Sequence, residues 1–182
     1  AEKAILEIKN SLAEKVDKVR FRELLSPQLR NVLIIGIVLA FLQQWCGINV
    51  IFNYAEEVFA AAGYGVSDIL FNIIITGSVN LVFTFIAIYT VDKLGRKMLL
   101  LIGAGGLATC YVLIGMAYYF HVSGWPMLIL IVSAIACYAM TFGPVIWVIL
   151  SEIFPNRIRG LAMAVGTMSL WIACFLLTYT FP

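Results

Sequence analysis

The chain has 182 residues, of which 63% are apolar and only 12% are charged, and its net charge at pH 7 is +2. Soluble domains are about 45–50% apolar and about 25% charged, so this composition excludes an ordinary soluble domain. A helix needs about 20 mostly apolar residues to cross a bilayer. The chain is therefore predicted to be an all-α, polytopic helical membrane protein. Five predicted spans cover about 31–54, 69–91, 98–120, 125–150 and 160–181.

Residues 1–30 are predicted to form a separate cytoplasmic segment ahead of the membrane domain, 31–182. Apolar residues recur at helical spacing over residues 1–22, and Lys and Glu occupy the other face, a pattern that predicts an amphipathic helix. Such a helix either lies on the bilayer surface or docks onto the cytoplasmic ends of the spans. Ser26 and Pro27 predict the start of the next helix, because proline is favoured in a first turn.

The basic residues predict the orientation of the chain in the membrane. All 12 Lys and Arg residues lie before the first span, between the second and third, or between the fourth and fifth. Five crossings place these segments on one side, which the positive-inside rule assigns to the cytoplasm. The chain is therefore predicted to be a multi-pass protein of the cell (inner or plasma) membrane with a cytoplasmic N-terminus. The odd number of spans favours a piece of a longer protein.

Four amides interrupt the first predicted span, in the stretch FLQQWCGINVIFNY: Gln43, Gln44, Asn49 and Asn53. An amide in hydrocarbon costs about 2–7 kcal/mol if it is unpaired, so each must face protein, water or ligand. A straight helix would separate Gln43 from Asn49 by about 120°, and Gly47 offers a place to unwind and bring the amides closer together. Amides both donate and accept hydrogen bonds, which suits a hydroxyl-rich ligand such as a sugar. The alternative is that they join packed spans, at about 0.6–2 kcal/mol each.

Glycine and proline distinguish the third and fourth predicted spans. The third contains GAGGL at residues 103–107, and such small residues let neighbouring helices approach closely. The fourth contains Gly143 and Pro144, which are predicted to kink or break the helix. Trp147 follows this break and offers a flat apolar face for a sugar ring.

Cysteine and histidine do not point to catalysis. The four cysteines all lie within predicted spans and fit no zinc-binding spacing, so they are predicted to act as small apolar residues. The only histidine, His121, lies in a predicted outer loop, and no span combines a nucleophile with a base. The chain is predicted not to be an enzyme, and no cofactor, metal or nucleic acid is expected.

Three motifs give a more specific identification: QQWCGIN at 43–49, DKLGRK at 92–97 and SEIFPNRIRG at 151–160. With these motifs in this order, the chain resembles the sugar porter family of the major facilitator superfamily. The resemblance implies the end of the intracellular helical domain followed by transmembrane helices seven to eleven, part of the C-terminal six-helix half. It also implies partners that the sequence lacks, the N-terminal six-helix half and helix twelve of the same chain.

The resemblance implies roles for individual residues. Substrate contacts are implied for Gln43, Gln44, Asn49, Asn80, Trp147 and Trp171, and gating for Asn53, Tyr54, Gly143 and Pro144. A cytoplasmic charge network that latches the outward-facing state is implied for Asp92, Arg96, Glu152 and Arg159. Departures from the family pattern occur at Asn53, where a lid tyrosine is usual, and at Leu170 and Cys174, where amides are frequent.

The implied function is transport of a monosaccharide, a pentose or a hexose, through the lipid bilayer by alternating access. Proton coupling is expected, although the coupling aspartate of the family's symporters lies on helix one, outside this sequence. The alternative is a non-transporting sugar sensor or scaffold with the same fold.

Overall fold

The computed structural model describes Leu24 and residues 26–181, so the predicted amphipathic helix over residues 1–22 lies outside the described residues. The described part is built from helices and the turns between them. In chain order they are α1 (Pro27–Trp45), α2 (Ile48–Asn53), α3 (Ala55–Ala61), α4 (Val66–Leu94), α5 (Arg96–Tyr119), α6 (Trp125–Met140), α7 (Phe142–Ile153) and α8 (Arg159–Thr180). The predicted helix start is confirmed, because Ser26 precedes α1 and Pro27 is its first residue.

Among the described residues, four segments are long and apolar enough to cross a membrane, and they match the last four predicted spans. They are Asp68–Leu94, Arg96–Tyr119, Trp125–Ile153 and Arg159–Thr180. The all-α, membrane-spanning class is thereby confirmed. The first predicted span is divided among α1, α2 and the turn between them, and the apolar part of α1, Leu29–Trp45, is shorter than the four segments above. A crossing by α1 and α2 together stays a prediction.

The first helix break lies between α1 and α2. Gly47 has φ 81°, in the left-handed region, which side chains with a Cβ disfavour by about 1–2 kcal/mol. A glycine is therefore needed at this point, and the predicted unwinding is confirmed.

The second break lies between α6 and α7, at Thr141, two residues ahead of the predicted Gly143. Thr141 has φ −126° and ψ −83°, outside the helical region. Pro144 is the third residue of α7, where its missing N–H costs little because the first-turn N–H groups have no helical acceptor. The predicted interruption is thus confirmed, but it begins at Thr141 and not at Gly143.

Close packing holds the broken helices in the bundle. α8 lies along α1, and α6 packs against both α4 and α5. A Cβ built on Gly103 of α5 would overlap the side chain of Thr141, and one on Gly106 would lie 3.1 Å from Sγ of Cys137. The predicted role of the GAGGL stretch in close approach is confirmed. Large apolar side chains remain exposed along α4, including Ile74, Leu81 and Phe85, as expected of a surface that faces hydrocarbon.

Candidate functional site

Gln43 lies near the C-terminal end of α1 and reaches the start of α7. Its side chain is buried, and its Nε2 donates to the backbone oxygens of Phe142 and Gly143, at 3.0 and 3.1 Å. Its Oε1 is buried and has no hydrogen-bond partner among the described residues. An unpaired buried oxygen costs about 1–3 kcal/mol, so this atom requires a donor. The Tyr138 hydroxyl of α6 interacts with the Gln43 side chain, but it makes no hydrogen bond to this oxygen.

Gln44 and Asn49 form a second polar group, on either side of the first break. Gln44 is buried, and its Oε1 accepts a hydrogen bond from Asn49 Nδ2. The same Nδ2 lies 3.6 Å from Sγ of Cys174 on α8. On a straight helix, residues five apart would point about 140° away from each other, so the unwinding at Gly47 makes this pair possible. These two amides converge as predicted, whereas Gln43 turns to α7.

Asn53 and Tyr54 join the end of α2 to the C-terminal part of α8. Asn53 Nδ2 donates to Oγ1 of Thr178 at 3.2 Å, and the Tyr54 hydroxyl donates to the Thr178 backbone oxygen at 2.7 Å. The Tyr54 ring also packs against Phe181, with ring centroids 5.1 Å apart. The two residues predicted to form the outer gate therefore both contact α8, although their gating role stays a prediction.

The three remaining predicted substrate contacts are not joined to the amides by any hydrogen bond in the described part of the chain. Trp147 on α7 is 37% exposed and Trp171 on α8 is 65% exposed. Asn80 is half-buried in the middle of α4, where its backbone oxygen accepts a bond from the Thr84 hydroxyl at 2.7 Å. These side chains are accessible to a ligand or to another part of the protein, and their roles stay predictions.

The departures at Leu170 and Cys174 have different surroundings. Leu170 is buried and packs in the apolar cluster that α1, α7 and α8 share. It therefore contributes to helix packing rather than to a polar site. Cys174 is half-buried beside Asn49, where a thiol is a weaker hydrogen-bonding group than an amide.

A cavity of about 850 Å³ lies beside the first break. Its walls are mostly apolar and include Gly47 and Tyr111, but among the described residues that line it there is no predicted substrate contact. The Tyr111 hydroxyl is engaged, because it donates to the Cys46 backbone oxygen at 2.6 Å. Sugar sites need several convergent polar groups, so this cavity is distinct from the amide site.

The predicted charge network is assembled in part. Arg96 at the start of α5 binds Glu152 of α7 through two bonds, Nη2 to Oε1 at 2.7 Å and Nε to Oε2 at 3.2 Å. Its Nη2 also lies 3.0 Å from Oδ1 of Asp92. Arg159 donates instead to the backbone oxygen of Phe154, at 3.4 Å. Three of the four predicted residues are thus joined at one end of the bundle.

Several hydroxyl groups at the breaks were missed by the sequence analysis. Tyr111 caps the first break, and Thr141 at the second break donates to the Cys137 backbone oxygen at 2.6 Å. Thr178 of α8 accepts hydrogen bonds from two of the four predicted gating residues, Asn53 and Tyr54. A general signal existed, since hydroxyl groups buried in apolar surroundings need partners, but the sequence does not name those partners.

The chain matches the family model described as "Sugar (and other) transporter" over residues 1–182. It belongs to the sugar porter family of the major facilitator superfamily. It is 45% identical to the D-xylose-proton symporter of Escherichia coli over 152 residues. This alignment covers 84% of this chain and 31% of the symporter. It is 38% identical over 173 residues to the arabinose-proton symporter of Bacillus subtilis, covering 94% of this chain and 37% of the relative.

A solved structure shares the fold of this sugar porter. The proton:xylose symporter XylE bound to 6-bromo-6-deoxy-D-glucose matches with a TM-score of 0.80 and 42% identity, over 100% of this chain and 38% of that one. The family that the three motifs implied is therefore confirmed. The chain spans about a third of the length of these two relatives, 31% and 37% respectively.

Proposed function

We propose that the chain is part of a secondary transporter that moves a monosaccharide, a pentose or a hexose, across the membrane by alternating access with proton coupling. The observation that carries this proposal is the buried pair Gln43 and Gln44 beside a helix break, with Oε1 of Gln43 lacking a partner among the described residues. Binding sites of secondary transporters are typically built at broken helices near the middle of the membrane.

The chemistry of the amide site favours a neutral, hydroxyl-rich substrate. Residues 31–55 contain no Lys, Arg, Asp or Glu, so this segment offers no ionic partner to a charged ligand. An amide can accept from one sugar hydroxyl and donate to another. The similarity to symporters named for xylose and arabinose supports a monosaccharide as substrate. The same site gives no support to catalysis, and we infer a carrier rather than an enzyme.

The other predicted roles complete the proposal. Asn80, Trp147 and Trp171 line the sugar path together with the amides, and the exposure of the two tryptophans is expected of side chains that face the missing N-terminal half. Asn53 and Tyr54 form the outer gate through Thr178. The helix break at Thr141, just before Gly143 and Pro144, gives α7 the freedom to move when the gate closes.

The charge network forms the cytoplasmic latch of the outward-facing state. Pairs of this kind must break when the two halves of a carrier rock against each other. This assignment places Arg96 and Glu152 at the cytoplasmic side, and with them the N-terminus. The protein is then a multi-pass protein of the inner or plasma membrane, with residues 1–30 as a cytoplasmic segment before the membrane domain at 31–182.

Uptake by the full-length protein tests this function. The protein is reconstituted in liposomes, and entry of labelled xylose, arabinose, glucose and galactose is measured with and without an inward proton gradient. Gln43→Ala is compared with Asn31→Ala, which removes an exposed amide from the other end of α1. We expect gradient-driven accumulation that is lost only in Gln43→Ala. Equilibration that ignores the gradient would indicate a facilitator, and sugar binding without uptake would indicate a sensor.

A further inference from the structure

The orientation of the Gln43 amide follows from its partners. The atom that faces the backbone oxygens of Phe142 and Gly143, at 3.0 and 3.1 Å, has to be the NH₂ nitrogen, because two oxygens that only accept cannot bond to each other. Both hydrogens of this amide are therefore committed to α7. Its oxygen remains, buried and without a partner in the part of the chain that the structure describes.

The segment that receives these two bonds is weakly connected to the helix before it. At Thr141 the helical pattern stops, and its N–H bonds to Tyr138 instead, at 3.1 Å. Pro144 has no N–H, so it supplies no helical bond back to α6. Gln43 thus provides a connection from α1 to the first turn of α7 that the α6 backbone does not provide.

Trp147 lies one turn further along α7. The backbone N–H of Trp147 faces the backbone oxygen of Gly143 in the helical pattern. The Gln43 side chain donates a hydrogen bond to that same oxygen. A change in the Gln43 contact therefore alters the turn that carries the tryptophan ring. Hydrogen bonds in a chain strengthen one another, so a donor placed on the Gln43 oxygen also strengthens the bonds from its NH₂ group to α7.

We propose that Gln43 is a positioning residue that couples sugar occupancy to the α6–α7 break, holding α7 with its NH₂ group and accepting a sugar hydroxyl with its oxygen. The proposal rests on the proposed function, since it takes the ligand to be a sugar. It implies that Gln43 binds a sugar hydroxyl only when that hydroxyl donates the hydrogen bond. A bound sugar then tightens the first turn of α7, and an empty site loosens it.

Gln44 provides a matched control on the same helix. It is the adjacent residue, it is also buried, and its amide is paired with Asn49 rather than with α7. Loss of Gln44 should weaken sugar binding without loosening α7. The two residues therefore separate a ligand contact from a contact that also holds the break.

Hydrogen–deuterium exchange on the full-length transporter in nanodiscs tests the coupling. Deuterium uptake by peptides that cover residues 142–150 is measured for wild type, Gln43→Met and Gln44→Met, without sugar and with saturating D-xylose. In the absence of sugar, Gln43→Met should exchange about fivefold faster than wild type, the effect of losing about 1 kcal/mol of hydrogen bonding. Gln44→Met should exchange at the wild-type rate. Wild-type exchange in Gln43→Met would overturn the proposal, whatever happens to transport.

A second measurement asks whether a residue of the same size restores the contact. In Gln43→Glu, a carboxylate would oppose the two α7 oxygens, whereas the protonated acid can donate to one of them. The titratable side chains near this position are Tyr138 of α6, whose hydroxyl interacts with the Gln43 side chain, and the thiols of Cys46 and Cys174. D-xylose affinity of Gln43→Glu, relative to wild type at each pH, should recover several-fold toward pH 5.

The same titration of Gln44→Glu should be flat, because a carboxylate there still accepts from Asn49. A pH-independent affinity ratio for Gln43→Glu would overturn the proposal. If wild type binds no sugar at all, the proposed function fails, while the sugar-free exchange of residues 142–150 still reports whether Gln43 holds α7.

Discussion

The two helix breaks interrupt the membrane domain in different ways. The break between α1 and α2 depends on the backbone of Gly47, with φ 81°, and its exposed carbonyl at Cys46 is capped by Tyr111 of α5. The break between α6 and α7 uses ordinary negative φ at Thr141, and its first-turn carbonyls are held by Gln43 of α1. Water cannot satisfy a freed carbonyl inside hydrocarbon, so a side chain from another helix has to do so, as Tyr111 does at the first break. At the second break Gln43 instead adds bonds to carbonyls that already belong to the first turn of α7.

The segments that follow the breaks also differ. α2 is held at its end by neutral bonds, from Asn53 and Tyr54 to Thr178. α7 is held at its end by the ion pair of Glu152 with Arg96. One broken helix therefore depends on glycine and neutral hydrogen bonds, whereas the other depends on an amide at one end and charges at the other.

The largest expected effect comes from filling the contact between α5 and the second break. In Gly103→Val the new side chain would overlap Thr141, and such overpacking costs about 1–3 kcal/mol of unfolding free energy. Thermal unfolding of the full-length protein in detergent measures the loss. Gly105→Val is the control, since a Cβ there meets no atom within 4 Å. Equal loss in both variants would show that the contact with Thr141 is not what limits this position.

Gly47→Ala should come next, because it forces a Cβ into the left-handed region. We expect a loss of about 1–2 kcal/mol in unfolding free energy. Gly77→Ala, in the middle of α4 where a Cβ has open space, should instead gain about 0.5–1 kcal/mol. The two variants are compared by melting in the same detergent. A loss in both would contradict the special requirement for glycine at the first break.

Tyr111→Phe should have a smaller effect, because it removes only the hydroxyl that caps the Cys46 carbonyl. A hydrogen bond of this kind contributes about 0.5–1.5 kcal/mol. Tyr119→Phe on the same helix, where the residue is 79% exposed, is the control in the same melting experiment. If Tyr111→Phe has the same melting temperature as the control, the Tyr111 hydroxyl contributes nothing measurable to the stability of the first break.

Glu152→Gln should have the smallest effect on stability and a visible effect on the conformational equilibrium. The partners are partly exposed, with 31% of the Arg96 side chain and 52% of the Glu152 side chain accessible, so solvent and salt screen their attraction. Labelling of engineered cysteines from the cytoplasmic face should show a larger inward-facing population. High salt should reproduce the shift in wild type.

Lys97→Gln removes an exposed basic residue from the same end and should leave that population unchanged. Because this control changes the net charge in the opposite direction to Glu152→Gln, an equal shift in it would show that loss of any charge at this end, and not loss of the Arg96 pair, alters the equilibrium. The second break would then lack the ionic restraint that distinguishes it from the first.

The local features of the fold were predictable because they depend on neighbours along the chain. Ser26 and Pro27 predicted the start of α1, and Gly47 and the Gly143–Pro144 pair predicted both breaks. The second break begins earlier, at Thr141, because proline is accommodated within the first turn of α7 instead of at its boundary. The further division at Tyr54, between α2 and α3, has no glycine or proline signal and was not predicted.

The sequence by itself determined the class of this protein, since hydrocarbon leaves a chain this apolar little choice but helices that satisfy their own backbone. It also determined which side chains are unusual there, and its motifs named the family. Only the tertiary structure decided what each amide binds. Gln43 reaches carbonyls about a hundred positions away, at Phe142 and Gly143, and Asn53 reaches Thr178. An amide both donates and accepts, so its partner depends on the group that folding places opposite it.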